Sequence, residues 1–529
     1  MTLDPAALQV LIARLSGVAE EMGAVLQRGA FSPNIKERAD CSAAVFDAAG
    51  NVLAQAEHIP VHLGSMPASV AAIIDAFGDG LGPGEHAMVN DPFRGGTHLN
   101  DLTVVTPCWV DGRLRGWVAN RAHHADVGGA APGSLPADAT EIHQEGFRIP
   151  PTRLTDETRA LLLANSRTPW ERGGDLDAQV GANVVGARRL APLLEQPTDE
   201  VLAHGERRCR AAIHALPDGE WTAIDVLDST GPGSDQRSPV TLRCTIRITG
   251  SAIEFDFTGT DPQCRGNVNA VEAVTVSSVA FVLRHVIDHG LPANAGVMRP
   301  VSVVAPSGSL VAARFPAAVG AGNVEVSQRI VDVCLRALAE VLGDRVPAAS
   351  QGTMNNLLIG AAHQRAGRPG WVYYETIGGG QGGRPPSPDT NDGVPRPGMS
   401  GVHTNMTNTR NTPVEALERS YPLRVRALRL RRGSGGAGAA PGGDGIEREV
   451  ELLEDAVVSL IAERRHAAPW GTGGGADGAV GRDELLRGGD PATAEPLGDK
   501  VTVALRAGDV VRIGTPGGGG WGAPERPTD

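Results

Sequence analysis

No two cysteines of this chain stand at metal-finger spacing. The six, Cys41, Cys108, Cys209, Cys244, Cys264 and Cys334, are scattered. That argues against a disulfide-built secreted scaffold and fits reduced thiols in the cytoplasm. Positive charge is also in deficit, with 48 Lys and Arg against 61 Asp and Glu, a net charge of −13. A nucleic-acid backbone is therefore a poor candidate partner. The sequence opens with no basic-then-apolar leader, and no apolar run approaches the length of a membrane span. A cytoplasmic protein with no membrane association is expected.

Three motifs are missing as well. The glycine-rich Ile377–Gly383 (IGGGQGG) lacks the Lys-Ser/Thr of a phosphate-binding loop. No GxGxxG opens a helix after a strand, and no GxSxG occupies a strand–turn–helix setting. Neither ATP binding nor a serine nucleophile has support in the residues. The IGGGQGG run reads as a turn that lets backbone pass close to something. No internal repeat of fixed period is present.

What is there is a globular composition, 41% hydrophobic and 21% charged over 529 residues, with 69 glycines and 38 prolines that imply many tight turns. Asp4-Pro5 reads as a helix N-cap and first position, followed by an apolar stripe from Leu8 to Val25. Ala43–Phe46 and Val52–Gln55 flank a turn and predict a hairpin, and Pro67–Phe77 predicts a helix. Leu102–Val110 and Leu114–Asn120 are joined across Asp111-Gly112, a strong hairpin signal. Asp175–Leu194 predicts a helix with Val180, Val184, Ala187 and Leu190 on its apolar face, and two more long helices are expected at Val271–His289 and Val324–Leu342. Strands are expected at Thr241–Ile248, Ile253–Thr258, Glu449–Leu460 and Val501–Leu505. Gly433–Gly445 reads as a flexible surface excursion. Hairpins interleaved with helices, without regular βαβ alternation, predict a mixed α+β fold with several antiparallel sheets and a β-rich C-terminal region. Three regions are expected: 1–215, 216–432 and 433–529.

The chemistry concentrates between Asn90 and Gly129, where His98, Asp101, His123, His124 and Asp126 fall in a chain that has 14 histidines. His98 and Asp101 stand where the first strand of the Asp111-Gly112 hairpin begins and His123 where the second ends. An antiparallel pair makes those positions neighbours. Imidazole and carboxylate together suit zinc, manganese or ferrous iron, and an open coordination position could polarise a carbonyl or activate water. The same residues equally fit ordinary hydrogen-bonding groups at strand ends. Adjacent strand residues point to opposite faces, so His123 and His124 are not expected to face one ion together. His124 and Asp126 read as acid–base candidates or as groups that hold a ligand. Glu37 and Asp40 precede the first hairpin in what reads locally as a solvated loop, and His58 and His62 follow it at a strand end.

Five strings in collinear order, NDPFRGGTHLNDLTVVTP, RAHHADVGG, EGFRIPP, RTPWERGGDLDAQVGAN and GVHTNMTNTRNTPVEALE, resemble the hydantoinase B/oxoprolinase family. The resemblance spans nearly the whole chain. The family includes subunits of ATP-dependent hydantoinases and caprolactamase, the C-terminal half of 5-oxoprolinases, and alpha subunits of acetone and acetophenone carboxylases. The resemblance implies a divided reaction: a hydantoinase A-type subunit uses ATP to phosphorylate the substrate, and the B-type subunit carries a divalent metal (manganese, zinc or iron) and handles the activated intermediate. It maps the metal ligands onto Glu37, His98, Asp101 and His123, places His124 and Asp126 beside them as catalytic residues, and leaves Asp40 to orient a ligand. Relatives often carry a second histidine where this chain has Asn405, beside His403.

The function expected is that of the metal-bearing subunit of an ATP-dependent cyclic-amide hydrolase, opening a hydantoin, oxoproline or lactam ring within a hetero-oligomer. Two rivals are a ketone carboxylase subunit, marked by bicarbonate dependence, and a non-catalytic scaffold with a closed structural metal.

Overall fold

A computed structural model describes residues 3–56, 59–232, 239–361, 370–386 and 393–524. His58 lies outside them.

Helix α1 (Pro5–Gly29) begins as its sequence dictates, with Asp4 Oδ1 accepting from the amides of Ala6 and Ala7 at 2.9 Å. After the short α2 (Pro33–Lys36) come β1 (Cys41–Asp47), β2 (Val52–Ala56), α3 (Met66–Phe77), β3 (Ala87–Val89), β4 (Asp101–Val110), β5 (Arg113–His123) and β6 (Thr152–Arg153). These strands form one antiparallel sheet in the order β2-β1-β5-β4-β3-β6. Alternation along β1 sorts its side chains. Ala43 and Val45 join the α1 core on one face, and Ala44 and Phe46 join Met66, Val70 and Ile73 of α3 on the other. Asp111 (φ 48°) and Gly112 (φ 72°) make the tight β4–β5 turn that the sequence predicts.

Pro60–Gly80 is apolar and long enough, taken as a single run, to cross a membrane. It is broken into a 3-10 turn at Pro60–His62, α3, and a second turn at Gly78–Gly80. The 12 residues of α3 span about 18 Å at the usual helical rise, and their buried face lies on the sheet.

Helices α4 (Asp156–Asn165), α5 (Pro169–Leu190) and α6 (Asp199–His214) follow. The face that α5 turns to β4 and β5 is polar, not the apolar stripe expected. Gln179 and Asn183 are buried there, bonded to Asn120, Thr106 and the carbonyls of Leu102 and Val104, while Val184 is exposed. Side-chain amides buried on this face bond to strand groups and to one another.

The second sheet joins β7 (Gly219–Leu227), β8 (Val240–Thr249), β9 (Ala252–Asp256) and β10 (Val301–Val304), with β9 and β10 parallel. Helix α8 (Ser327–Leu342) lies on it, and α7 (Glu272–Val282) packs on α8. Both expected long helices change pitch. A π turn, Leu283–Ile287, ends α7, and another, Gly322–Val326, precedes α8.

The remaining elements are β11 (Asn356–Ala361), β12 (Trp371–Glu375), α9 (Val414–Ser420), β13 (Leu423–Leu430), β14 (Ile446–Leu452), β15 (Ala456–Ile461), β16 (Arg482–Leu486), β17 (Glu495–Pro496), β18 (Lys500–Leu505) and β19 (Val510–Gly514). They build two sheets, β12-β11-β15-β18 and β13-β14-β19-β16-β17. The single strand expected over Glu449–Leu460 is two, one in each sheet. Both sheets pair strands from either side of residue 433, so the expected third region shares its sheets with the second.

Gly433–Gly445 is not a free excursion. With Gly380–Gly383 it packs around the run Gly517–Trp521, whose successive amides donate to Ala479, Gly443, Ala349, Ala476 and Ala440. Each third residue returns to the same neighbour, the periodicity of an extended three-residue helix. A Cβ on Gly519 would stand 2.1 Å from the Trp470 carbonyl oxygen. Glycine is required there by close approach of backbones.

Candidate metal centre

The register of the β4–β5 hairpin sets Asp101 opposite His123. Just before β4, the chain leaves a 3-10 turn (Pro92–Arg94) capped by Asp91 and passes through Gly95, whose φ of 92° and approach to the Ala68 carbonyl leave no room for a side chain. Asn90 clamps this loop, donating to the carbonyls of Leu99 and Phe147 and accepting from the Ile149 amide. His98 is thereby held one turn before Asp101.

Three atoms face one another. His98 Nε2 lies 3.1 Å from His123 Nδ1, and Asp101 Oδ1 lies 3.5 Å from the former and 3.3 Å from the latter. All three side chains are buried. A divalent ion with ligand bonds near 2.1 Å sets donor–donor edges of about 3.4 Å in tetrahedral geometry. The observed triangle fits such an ion.

The other carboxylate oxygen is held separately. Asp101 Oδ2 accepts from Thr97 Oγ1 at 2.8 Å, stands 3.4 Å from His62 Nε2, and accepts a long bond of 3.4 Å from Asn323 Nδ2. His62 is anchored through Nδ1 to Ser42 Oγ at 3.0 Å. Such outer partners fix the orientation of a ligand. The ring of His123 stacks on Tyr374, centroids 4.5 Å apart, and Tyr374 donates its hydroxyl to Asn356. Asn356 in turn donates to Glu325.

Electrostatics match a neutral His98 beside an ionised Asp101. Burial pushes His98 down to about 3. Burial alone would raise the Asp101 carboxyl, but the imidazoles of His98 and His62 and the hydrogen bond from His123 hold it well below the usual carboxylate range.

The cavity at this point is about 20 Å³ and is walled by Asp40, Ile59, Val61, His62, Asn323 and Tyr374 among others. It is the size of one ion or one water.

Three of the four expected ligands therefore meet. The fourth, Glu37, does not join them. It is the half-buried C-cap of α2, and it does not line the cavity. Beyond it Ala39 takes a left-handed conformation (φ 55°) and turns the chain so that Asp40 lines the cavity instead. The Asp40 carbonyl accepts from the His123 amide at 3.0 Å. His124 and Asp126 also lie elsewhere. His124 Nε2 meets Gln179 Oε1 of α5 at 2.9 Å, on the opposite face of the strand end from His123, and burial pushes its pKa down to about 4. Asp126 is enclosed by Arg167, accepting from its amide at 2.7 Å and its guanidinium at 2.9 Å, with further bonds from Ser166 and Gly133. It ties a loop. From the Thr-rich loop the cavity receives Thr407 and Thr409, whereas His403 meets Asn411 and Asn405 meets Asp332.

His62, Asn323 and Tyr374 come from distant elements. Only His62 carried a signal in the sequence, as a histidine after a strand.

Fold and site together define a mixed α+β protein with a buried His–Asp–His cluster at a hairpin's end. The chain belongs to the hydantoinase B/oxoprolinase family, whose model matches residues 4–524. It is 37% identical to 5-oxoprolinase 1 of Arabidopsis thaliana over 98% of this chain but 42% of that one. It is 31% identical to the B-type subunit of a putative D-/L-hydantoinase from a Pseudomonas species, covering 99% of this chain and 90% of that one. So the chain matches some relatives almost end to end and spans under half the length of others. Among solved structures, the ATP-dependent caprolactamase of Pseudomonas jessenii superposes with a TM-score of 0.87 at 27% identity, over 99% of this chain and 92% of that one. Acetone carboxylase superposes with a TM-score of 0.83 at 17% identity, over 98% and 76%, a likeness of fold.

Proposed function

We propose that this chain is the metal-bearing, B-type component of an ATP-dependent cyclic-amide hydrolase, opening a hydantoin, oxoproline or lactam ring that a partner has phosphorylated. The observation that carries the metal is the triangle of His98 Nε2, Asp101 Oδ1 and His123 Nδ1, with edges of 3.1 to 3.5 Å. Family membership carries the reaction class. These three residues would hold a divalent manganese, zinc or iron ion, and Asp40 lines the same cavity as a further carboxylate.

A bound divalent ion supplies Lewis acidity to an oxygen of the substrate or of water. The chain's own residues do the rest. Thr97, His62 and Asn323 keep Asp101 Oδ2 occupied, so that Oδ1 alone faces the two imidazoles. Burial keeps bulk water from the cluster. His62 is the imidazole in the cavity wall outside the cluster, and with Nδ1 on Ser42 and Nε2 beside Asp101 Oδ2 it positions the ligand carboxylate.

A ring amide resists water because of its resonance, and phosphorylating its oxygen makes the carbon electrophilic. The 20 Å³ cavity admits neither ATP nor a ring. With no phosphate-binding loop in the sequence, ATP is assigned to an A-type partner or to the additional length that the longer relatives possess, and ring entry requires one cavity wall to withdraw. With a separate A-type partner the working enzyme is a hetero-oligomer.

The test is His62→Asn, assayed with an A-type partner, ATP and the three ring classes. Retained metal with turnover reduced by about 10- to 100-fold supports the positioning role of His62. Wild-type protein that consumes none of the three rings overturns the reaction class.

A further inference from the structure

The π turn Gly322–Val326 inserts one extra residue into the start of α8, a feature that recurs at functional sites. Its first residue admits no side chain, since a Cβ on Gly322 would lie 1.9 Å from the Asn269 carbonyl oxygen. Its last turn is bound down by Ser327 Oγ donating to the Asn323 carbonyl at 2.7 Å. The backbone of Asn323 is thus fixed, and its side chain, 3% exposed, enters the wall of the metal cavity.

The two ends of that amide have unequal company. Nδ2 points to Asp101 Oδ2 at 3.4 Å, while Oδ1 is buried with no hydrogen-bond partner among the described residues. Turning the amide over would set two acceptors, Oδ1 and the carboxylate, against each other. The carboxylate therefore fixes which way the amide points, and the end left over is an acceptor. A buried acceptor without a partner is costly, and a ligand that supplies a donor recovers that cost.

We propose that Asn323 is the substrate-orienting residue of this site, its Oδ1 accepting the ring N–H, which the O-phosphorylated amide keeps in its protonated form, and so selecting cyclic amides over the matching lactones. The inference rests on the cyclic-amide reading and adds what the ring must present to the chain. A lactone has the same shape with a ring oxygen that has no hydrogen to give. A site built to hydrogen-bond an N–H rejects an analogue lacking it more strongly than apolar contacts can.

The test uses metal-loaded protein and pairs caprolactam with caprolactone, and 5-oxoproline with its lactone counterpart, in calorimetric binding and in turnover with the A-type partner and ATP. Metal content is measured on every sample. In wild type, the amide of at least one pair is expected to bind about tenfold or more tighter than its lactone. In Asn323→Leu, which keeps the side chain's bulk, that preference is expected to vanish with metal content unchanged. If Asn323→Leu loses its metal, Asn323→Ala, which removes the acceptor without setting apolar bulk against Asp101, takes its place in the comparison. A metal-loaded variant that keeps the amide preference overturns the role of Asn323. Wild-type protein that turns over no ring overturns the cyclic-amide reading beneath it.

Discussion

His98 Nε2 and His123 Nδ1 face each other across 3.1 Å, on buried rings inclined at 71°. Two imidazole nitrogens at this distance either share one proton or point their lone pairs at one cation. With Asp101 Oδ1 closing the triangle, the arrangement fits a cation. Asp40 lies on the cavity wall and Glu37 does not. Asp40→Ala is therefore expected to weaken metal affinity by about 10- to 100-fold, as loss of a ligand or of its support does, whereas Glu37→Ala leaves it unchanged. Competition with a chelating dye measures both.

Asp126 separates a structural role from a catalytic one. Its carboxylate is fully buried and joined to Arg167 at 2.9 Å. Asp126→Asn breaks the pair and is expected to destabilise the fold by roughly 3–5 kcal/mol while metal content stays at the wild-type level. Denaturant unfolding and elemental analysis check the two halves.

A pH dependence follows from Glu325. Its carboxyl is buried, with Oε1 accepting from the Met354 amide and the Asn356 side chain, and Oε2 has no partner among the described residues. Burial, reinforced by Glu463, pushes it up from 4.5 to about 8. Folded protein therefore keeps a proton that unfolded chain releases above about pH 4.5, and this contribution to stability falls as pH rises towards 8. Glu325→Gln cannot titrate. The difference in Tm, variant minus wild type, is expected to grow between pH 5 and pH 8 whatever its starting value. A flat difference contradicts a protonated Glu325.

The glycine run near the C-terminus makes a sterically strict demand. In Gly519→Ala the new Cβ meets the Trp470 carbonyl oxygen at 2.1 Å and its carbon at 2.6 Å, both backbone atoms. The variant is expected to lose about 3 kcal/mol or more, at the severe end for a single substitution, or to fail to fold. Unchanged thermal unfolding would contradict this packing of backbone on backbone.

Much of this was legible in the sequence where the deciding interactions are local. The Asp111-Gly112 turn starts the hairpin, and a bulge between Cys108 and Trp109 shifts its register by one residue, which sets Asp101 beside His123. Asp4-Pro5 begins α1, and alternation along β1 sorts its two faces. Glu37 failed because a left-handed Ala39, which no local propensity announces, turns the chain before Asp40. Asn323 and Tyr374 stayed hidden because they reach the cavity from more than two hundred residues beyond His98 and Asp101. The face of α5 was misread because its buried groups, Gln179 and Asn183, are amides that satisfy strand carbonyls. Gly433–Gly445 reads as a flexible surface excursion because composition cannot separate a flexible glycine chain from one packed against other glycines.

The most direct measurement is the metal content of the purified protein beside that of His98→Ala, by elemental analysis after gel filtration. The expected result is close to one manganese, zinc or iron ion per wild-type chain and almost none in the variant, both eluting as folded protein. Metal in neither protein, or the same amount in both, would contradict a centre built on His98, Asp101 and His123.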